Sequence, residues 1–197
     1  MNPSLQLNTT PDATHPRRRF LFHSLRASLS ATAIALLAGQ PRLLQAATTS
    51  ESQLGDDIRI LSSALAAERE AIAAYQLGAD SGLLDSGTRK IALQFQGHHG
   101  AHAGVLTDTI QQLGGSAPEA PTRYDFPTDQ LHQQRDVLVF AASLERGAVS
   151  AYAGAIAAFD NRDLAKAAAS ILADEAMHWA ILRQALGMDP VPGAFFS

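Results

Sequence analysis

The sequence predicts an all-α fold: a bundle of four helices made of two antiparallel hairpins with a long crossover between helices 2 and 3. Three observations predict it. Alanine supplies 37 of 197 residues while aromatic residues make up only 6%, and alanine loses no rotamer entropy in a helix and lets backbones approach closely. Four stretches carry apolar residues at alternating steps of four and three, the spacing of a helix face that points into a bundle. Two of the connections between them are short, and one is long.

The first helix is expected from a Ser-x-x-Gln capping box at Ser50 and Gln53 to about Leu77, just before Gly78. The second runs from about Thr88 to Leu113 and is stopped by Gly114-Gly115. Thr128, after Pro127, caps a third that continues to about Phe159. Asn161 breaks it, Asp163 caps a fourth, and Gly187 followed by Pro190 ends that one. Short turns make helices 1 and 2, and helices 3 and 4, antiparallel neighbours. The linker from Ser116 to Pro127 contains three prolines; extended, it reaches roughly 40 Å, against roughly 38 Å for a 25-residue helix. It can therefore run the length of the bundle.

Composition excludes several classes. There is no cysteine, which rules out a disulfide scaffold, a thiolate zinc site, an iron–sulfur cluster and a lipid-anchored lipoprotein. Charge is uneven: residues 1–46 hold five arginines and one acid, so the remainder has ten Lys/Arg against eighteen Asp/Glu. An acidic body without clustered cations excludes nucleic acid as a partner.

The first 46 residues read as an export address. Arg17-Arg18-Arg19-Phe20-Leu21 precedes a mild apolar stretch from Ala27 to Ala38, then Pro41 and Leu44-Gln45-Ala46-Ala47, the three parts of a secretory signal. The apolar stretch is too short to span a bilayer, which needs roughly 20 residues, so no membrane insertion of the mature chain is expected. Arg-Arg-x-Phe-Leu resembles the twin-arginine signal, with Pro16 where that signal has Ser or Thr. The resemblance implies a periplasmic protein whose residues 47–197 form the bundle.

The chain repeats itself. Glu68-Arg69-Glu70-Ala71-Ile72-Ala73-Ala74-Tyr75 in helix 1 matches Glu145-Arg146-Gly147-Ala148-Val149-Ser150-Ala151-Tyr152 in helix 3, as expected for two copies of one hairpin. Continuing the alignment sets His102 against His178, His99 against Glu175 and Leu106 against Leu182. Each helix then places ionisable groups on its core stripe: Leu61, Leu65, Glu68, Ile72 and Tyr75; Phe95, His99, His102 and Leu106; Leu138, Ala142, Glu145, Val149 and Tyr152; Ile171, Glu175, His178 and Leu182. A buried unpaired carboxylate is costly or stays protonated, and divalent cations explain three of them together with imidazoles. Residues i and i+3 stand about 5–6 Å apart at Cβ, so Glu175 and His178 can reach one cluster.

One glutamate on each of helices 1 and 3, with Glu-x-x-His on the other two, is the ligand plan of ferritin-like di-iron and di-manganese carboxylate proteins. Over about residues 52–187 the chain resembles that family, in particular its exported bacterial members. The resemblance implies Glu68, His102, Glu145, Glu175 and His178 as metal ligands, two divalent ions with iron first and manganese or zinc as alternatives, and dioxygen or peroxide as reaction partners. It also admits a homo-oligomer.

His99 departs from the plan, which has a glutamate there. With His99 the candidate ligands are three glutamates and three histidines, and two divalent ions would leave the site at about +1, which disfavours a ferric state. Zinc, copper, manganese or a single ion therefore stay open. His98, four before His102, and Gln96, three before His99, are alternative ligands. Three functions remain in play: a redox site acting on dioxygen or peroxide, a non-catalytic metal store or carrier, and a structural bundle without metal.

The remaining polar and aromatic residues have plainer expectations. Tyr75 and Tyr152 are expected to pack with their hydroxyls bonded to a neighbour. Trp179 packs, His132 is exposed, and Glu70 and Asp174 fall off the stripe as solvated charges. The tail Ala194-Phe195-Phe196-Ser197 covers the end of the bundle. No nucleophile triad, phosphate loop or dinucleotide fingerprint is present.

Overall fold

The computed structural model describes residues 41–196, the backbone alone for 41–50. Contacts divide the chain into Met1–Ala47 and Thr48–Ser197, and the second unit carries the architecture below. The export signal read in the sequence falls almost wholly outside the described residues.

Four long helices follow in order: α1 Pro41–Asp80, α2 Ser86–Gln112, α3 Gln134–Ala158 and α4 Arg162–Ala185, with one 3-10 turn, Thr128–Gln130, in the crossover. Among the described residues there is no strand, so the all-α prediction stands. No described helix is long and apolar enough to cross a membrane.

Buried residues gather in two layers that reveal the topology. One layer joins Leu61 and Leu65 from α1, Leu106 and Ile110 from α2, Tyr152 from α3 with Phe159 at its C-cap, and Leu164, Ala168 and Ile171 from α4. The other joins Tyr75, Phe95, Leu138 and Leu182. The middle of α1 thus lies beside the late parts of α2 and α3 and the early part of α4. Both hairpins are antiparallel, and the segment from α2 to α3 must travel from one end of the bundle to the other. Arg69 of α1 holds that crossover by donating to the carbonyl of Pro118.

Helix ends are where the structure departs from the sequence reading. Ser50 lies inside α1, which is helical from Pro41, and not at its start. Asp85 caps α2, accepting from the Thr88 amide at 2.8 Å. Thr128 enters the 3-10 turn rather than capping α3; instead the Asp136 carboxylate reaches back to the amides of His132 and Gln133, both at 3.1 Å. Asn161, not Asp163, caps α4 by accepting from the Asp163 amide at 2.9 Å. Gly114, at φ +83, ends α2 in a left-handed turn that an L side chain would strain.

The bundle holds a buried acid that the sequence reading passed over. Asp57 on α1 accepts from the backbone amides of Asp160 (3.0 Å) and Asn161 (3.1 Å), fastening the α3–α4 turn. It lies one residue before Ile58, where the alternating four–three pattern extended backwards from Leu61 falls, so the stripe alone did not mark it. The tail is a further correction: Phe196 packs edge-on against Trp179 and lies 5.8 Å from the Arg146 guanidinium. Arg146 sits midway along α3 and Trp179 in the last third of α4, so the tail lies along a side of the bundle and not over its end.

Candidate metal centre

Between the two apolar layers, the core stripes of all four helices turn polar at one level. Glu68, His99, Glu145, Glu175 and His178 are each at most 3% exposed, and the His102 side chain is 14% exposed. All six candidate ligands from the sequence therefore converge at one place.

They form two groups of four, each with its ligand atoms within 4.8 Å of one another: Glu68, His99, His102 and Glu175, and His99, Glu145, Glu175 and His178. In the first, Glu68 Oε2 lies 2.8 Å from His99 Nδ1 and 3.5 Å from His102 Nδ1, while Glu175 Oε1 lies 3.1 Å from His102 Nδ1. In the second, Glu145 Oε1 lies 3.3 Å from His99 Nε2 and 3.5 Å from His178 Nδ1, while Glu175 Oε2 lies 3.6 Å from His178 Nδ1. Ligand atoms around one first-row ion stand about 3.0–3.5 Å apart for bonds of about 2.1 Å. The groups are spaced like ligand shells.

Glu175 and His99 belong to both groups, and each divides its two polar atoms between them. Glu175 turns Oε1 to the Glu68 group and Oε2 to the Glu145 group, as a bridging carboxylate would. His99 does the same with Nδ1 and Nε2. It thus occupies the place of a second bridge, but a neutral imidazole has one free lone pair and holds one cation at a time.

Several of these atoms make no hydrogen bond. Both oxygens of Glu175, Oε2 of Glu145, and Nδ1 of His102 and of His178 are buried without a hydrogen bond. Burying unpaired polar atoms costs free energy, and carboxylate oxygen with imidazole nitrogen is a donor set for divalent first-row ions. The residues present fit such a group.

Without an ion, protons offset the carboxylates. Burial works against a charged ring, yet contacts with Glu145 and Glu68 prevail and lift His99 to about 10. Glu175 and Glu68 lift His102 to about 9, and Glu145 and Glu175 lift His178 to about 9, against the same opposition. Burial raises Glu68 and Glu145, but the imidazoles outweigh it and hold both carboxyls below their ordinary value. The carboxylates thus hold all three rings toward their protonated, positively charged form.

Tyr75 donates to Glu145, and Tyr152 donates to Glu68, so both hydroxyls have the neighbour that was expected. Burial first, and then the adjacent carboxylates, push both phenols upward and keep them protonated. Rings fix the imidazoles: Phe95 stacks on His178 at 4.0 Å, and Tyr75 stacks on His99 at 5.4 Å. A cavity of about 60 Å³, lined by Leu84, Ala92, Leu138 and Leu182, reaches the cluster side at Tyr75 and Phe95.

Asp174 corrects the sequence reading. It is not a solvated charge: its side chain is 22% exposed, and Oδ2 lies 3.4 Å from Nε2 of both His102 and His178 and 3.0 Å from His98 Nδ1. It supplies a fourth negative charge beside the three glutamates, enough to balance two divalent ions and remove the +1 excess. The available signal was its spacing, four residues before His178 on one helix. Gln96, the alternative amide ligand, instead bonds the Ile72 carbonyl and Gln76. Glu70 and His132 are exposed, as expected.

Four helices bring acids and imidazoles together in two adjoining groups, an arrangement compatible with a di-metal site. The chain belongs to the ferritin-like domain family, which it matches over residues 56–188. Among solved structures it is similar to a conserved hypothetical protein from Mycobacterium tuberculosis, with 22% identity, 73% of this chain and 99% of the other covered, and a TM-score of 0.63. It is also similar to a ferritin-like, diiron-carboxylate protein from Bacillus anthracis, with 23% identity, 68% and 97% covered, and a TM-score of 0.59. No curated protein matches the chain.

Proposed function

We propose that the protein is an exported metal-binding bundle whose Glu/His centre holds two divalent ions, iron first, and reacts with dioxygen or peroxide. The observation that carries this reading is Glu175: it is fully buried, both its oxygens lack hydrogen bonds, and Oε1 lies beside His99 and His102 while Oε2 lies beside His178. Family membership and the diiron-carboxylate description of the Bacillus anthracis protein support iron. The Arg17-Arg18-x-Phe20-Leu21 sequence supports a periplasmic setting.

Glu68 and His102 would hold one ion, Glu145 and His178 the other, with Glu175 shared and His99 on one of them. A bound redox metal would supply the electrons that reduce dioxygen or peroxide. Tyr75 and Tyr152 orient Glu145 and Glu68 through hydrogen bonds and keep their own protons. Asp174 orients the outer nitrogens of His102 and His178, leaving each Nδ1 turned inward. The apolar layers on both sides exclude bulk water, and the cavity beside Tyr75 and Phe95 suits a small uncharged oxidant.

Metal analysis of protein isolated from its export compartment tests the reading, followed by peroxide and dioxygen turnover of the iron-loaded form. Turnover abolished in Glu145→Ala and Glu175→Ala is the expected result. A metal-loaded wild type with no turnover and no spectral response to either oxidant would overturn the redox reading. A store or carrier is the second reading, favoured by His99 in place of a second bridging carboxylate. It expects tight binding that survives peroxide without turnover.

A further inference from the structure

Outside the buried cluster, toward solvent, lies a third set of donors. His98 Nδ1 stands 3.0 Å from Asp174 Oδ2 and 2.9 Å from His178 Nε2, and the third edge, Asp174 to His178, is 3.4 Å. Three donor atoms on one face of a first-row ion are about 3.0–3.4 Å apart at bonds of about 2.1 Å, so this triangle has the size of a coordination face. Its exposure differs from that of the cluster: the His98 side chain is 38% exposed and Asp174 is 22% exposed, while His178 is 2% exposed.

His178 is common to both sets. Its Nδ1 faces Glu145 and Glu175, whereas its Nε2 faces Asp174 and His98. One ring therefore separates an outer donor triangle from the inner group, and its two nitrogens face opposite sides. Asp174 also reaches Nε2 of His102, at 3.4 Å, so the outer carboxylate touches one histidine of each buried group.

We propose that His98, Asp174 and the outer nitrogen of His178 form a capture site for a divalent first-row cation, from which the buried centre is filled. The proposal rests on the reading of the buried cluster as a metal centre. A cation arriving from solvent meets an imidazole and a carboxylate that are already partly exposed and gathered, then passes His178 to reach Glu145, Glu175 and His99. With the inner position filled, Nδ1 of His178 is committed there and the outer site keeps only His98 and Asp174, so it binds weakly and releases. The final number of bound ions is set by the buried centre.

Cobalt(II) uptake by the metal-free full-length protein tests this, with loading followed by stopped-flow absorbance and the final stoichiometry read by titration. In His98→Ala, loading is expected to slow by roughly 10–100-fold, the range over which losing one supporting partner weakens a metal site, with the stoichiometry unchanged. His98→Gln, which keeps a polar side chain at this partly exposed position, should slow loading in the same direction, and thermal melts establish that both variants fold. Loading of both variants at the wild-type rate would overturn the proposal. So would a lower stoichiometry at an unchanged rate, which would make His98 a positioning residue for the centre. A wild type that takes up no cobalt would instead sink the metal-centre reading, and this proposal with it.

Discussion

Tyr75 on α1 donates its hydroxyl proton to Glu145 on α3, not to Glu68 of its own helix. The exchange is mutual, since Tyr152 on α3 donates to Glu68 on α1. Each hairpin orients the acid of the other. Tyr75→Phe and Tyr152→Phe should each lower the stability of the metal-free protein by roughly 1.5–3 kcal/mol, the usual worth of a hydrogen bond to a charged group. Urea midpoints in the presence of chelator measure this. A midpoint unchanged in either variant would mean that the phenol only fills space.

The division of ligands makes a stoichiometric prediction. His102→Ala should remove one ion and His178→Ala the other, whereas Glu175→Gln should weaken both, because its two oxygens serve both groups. Metal-dependent stabilisation reports the same thing: at a free concentration of 100 times Kd, a filled site adds about 2.7 kcal/mol. Calorimetric titration with zinc and melts with and without metal would check the pattern. Equal losses in all three variants would contradict the two-group geometry.

His99 should make the two ions unequal. Its single lone pair in the neutral ring serves one group at a time, so titration should resolve two successive affinities. His99→Glu supplies a carboxylate whose two oxygens can serve both, and the affinities should draw together. A wild type with two identical sites would count against the shared position of His99.

The metal-free protein should depend on pH with a definite sign. His99, His102 and His178 are raised from an ordinary 6.5 to about 10, 9 and 9, so their stabilisation is complete below 6.5 and is lost as pH rises through 9 to 10. Glu68 and Glu145 are lowered from 4.5, so their stabilisation is present above 4.5 and is lost in acid. Stability in chelator should therefore be greatest between about 4.5 and 6.5 and fall toward alkaline pH. Metal competes with protons for the same nitrogens, so its apparent affinity should rise over the range in which the free protein weakens. Urea unfolding from pH 5 to 10 tests the first statement, and zinc titration over the same range tests the second.

What could be read in the sequence was what lies on the helix stripes. Glu68, His99, Glu145, Glu175 and His178 repeat the steps of four and three that also bury Leu65, Leu106 and Leu182, so one pattern located core and cluster together. Asp174 and His98 each stand next to a stripe residue, about 100° around the helix, and a one-helix pattern assigns that direction to solvent. They reach the cluster because α2 and α4 lie side by side there, which is tertiary information. Helix starts were obscured for a similar reason. Ser50 and Thr128 are good caps locally, but α1 extends upstream past Ser50, and Asp136 fixes the start of α3 from inside the helix.

Asp57 has a counterpart that extends the exchange between hairpins. It stands eleven residues before Glu68, and Gln134 stands eleven before Glu145. Asp57 closes the turn of the second hairpin, while Gln134 accepts from the Asp85 amide at 2.7 Å and donates to its carboxylate at 3.0 Å, closing the turn of the first. Neither half of this duplicated chain is self-sufficient: expressed by itself, a hairpin has an acid without its phenol and a bend without its clasp. It could regain both only by dimerising, with a copy of itself or with the missing half.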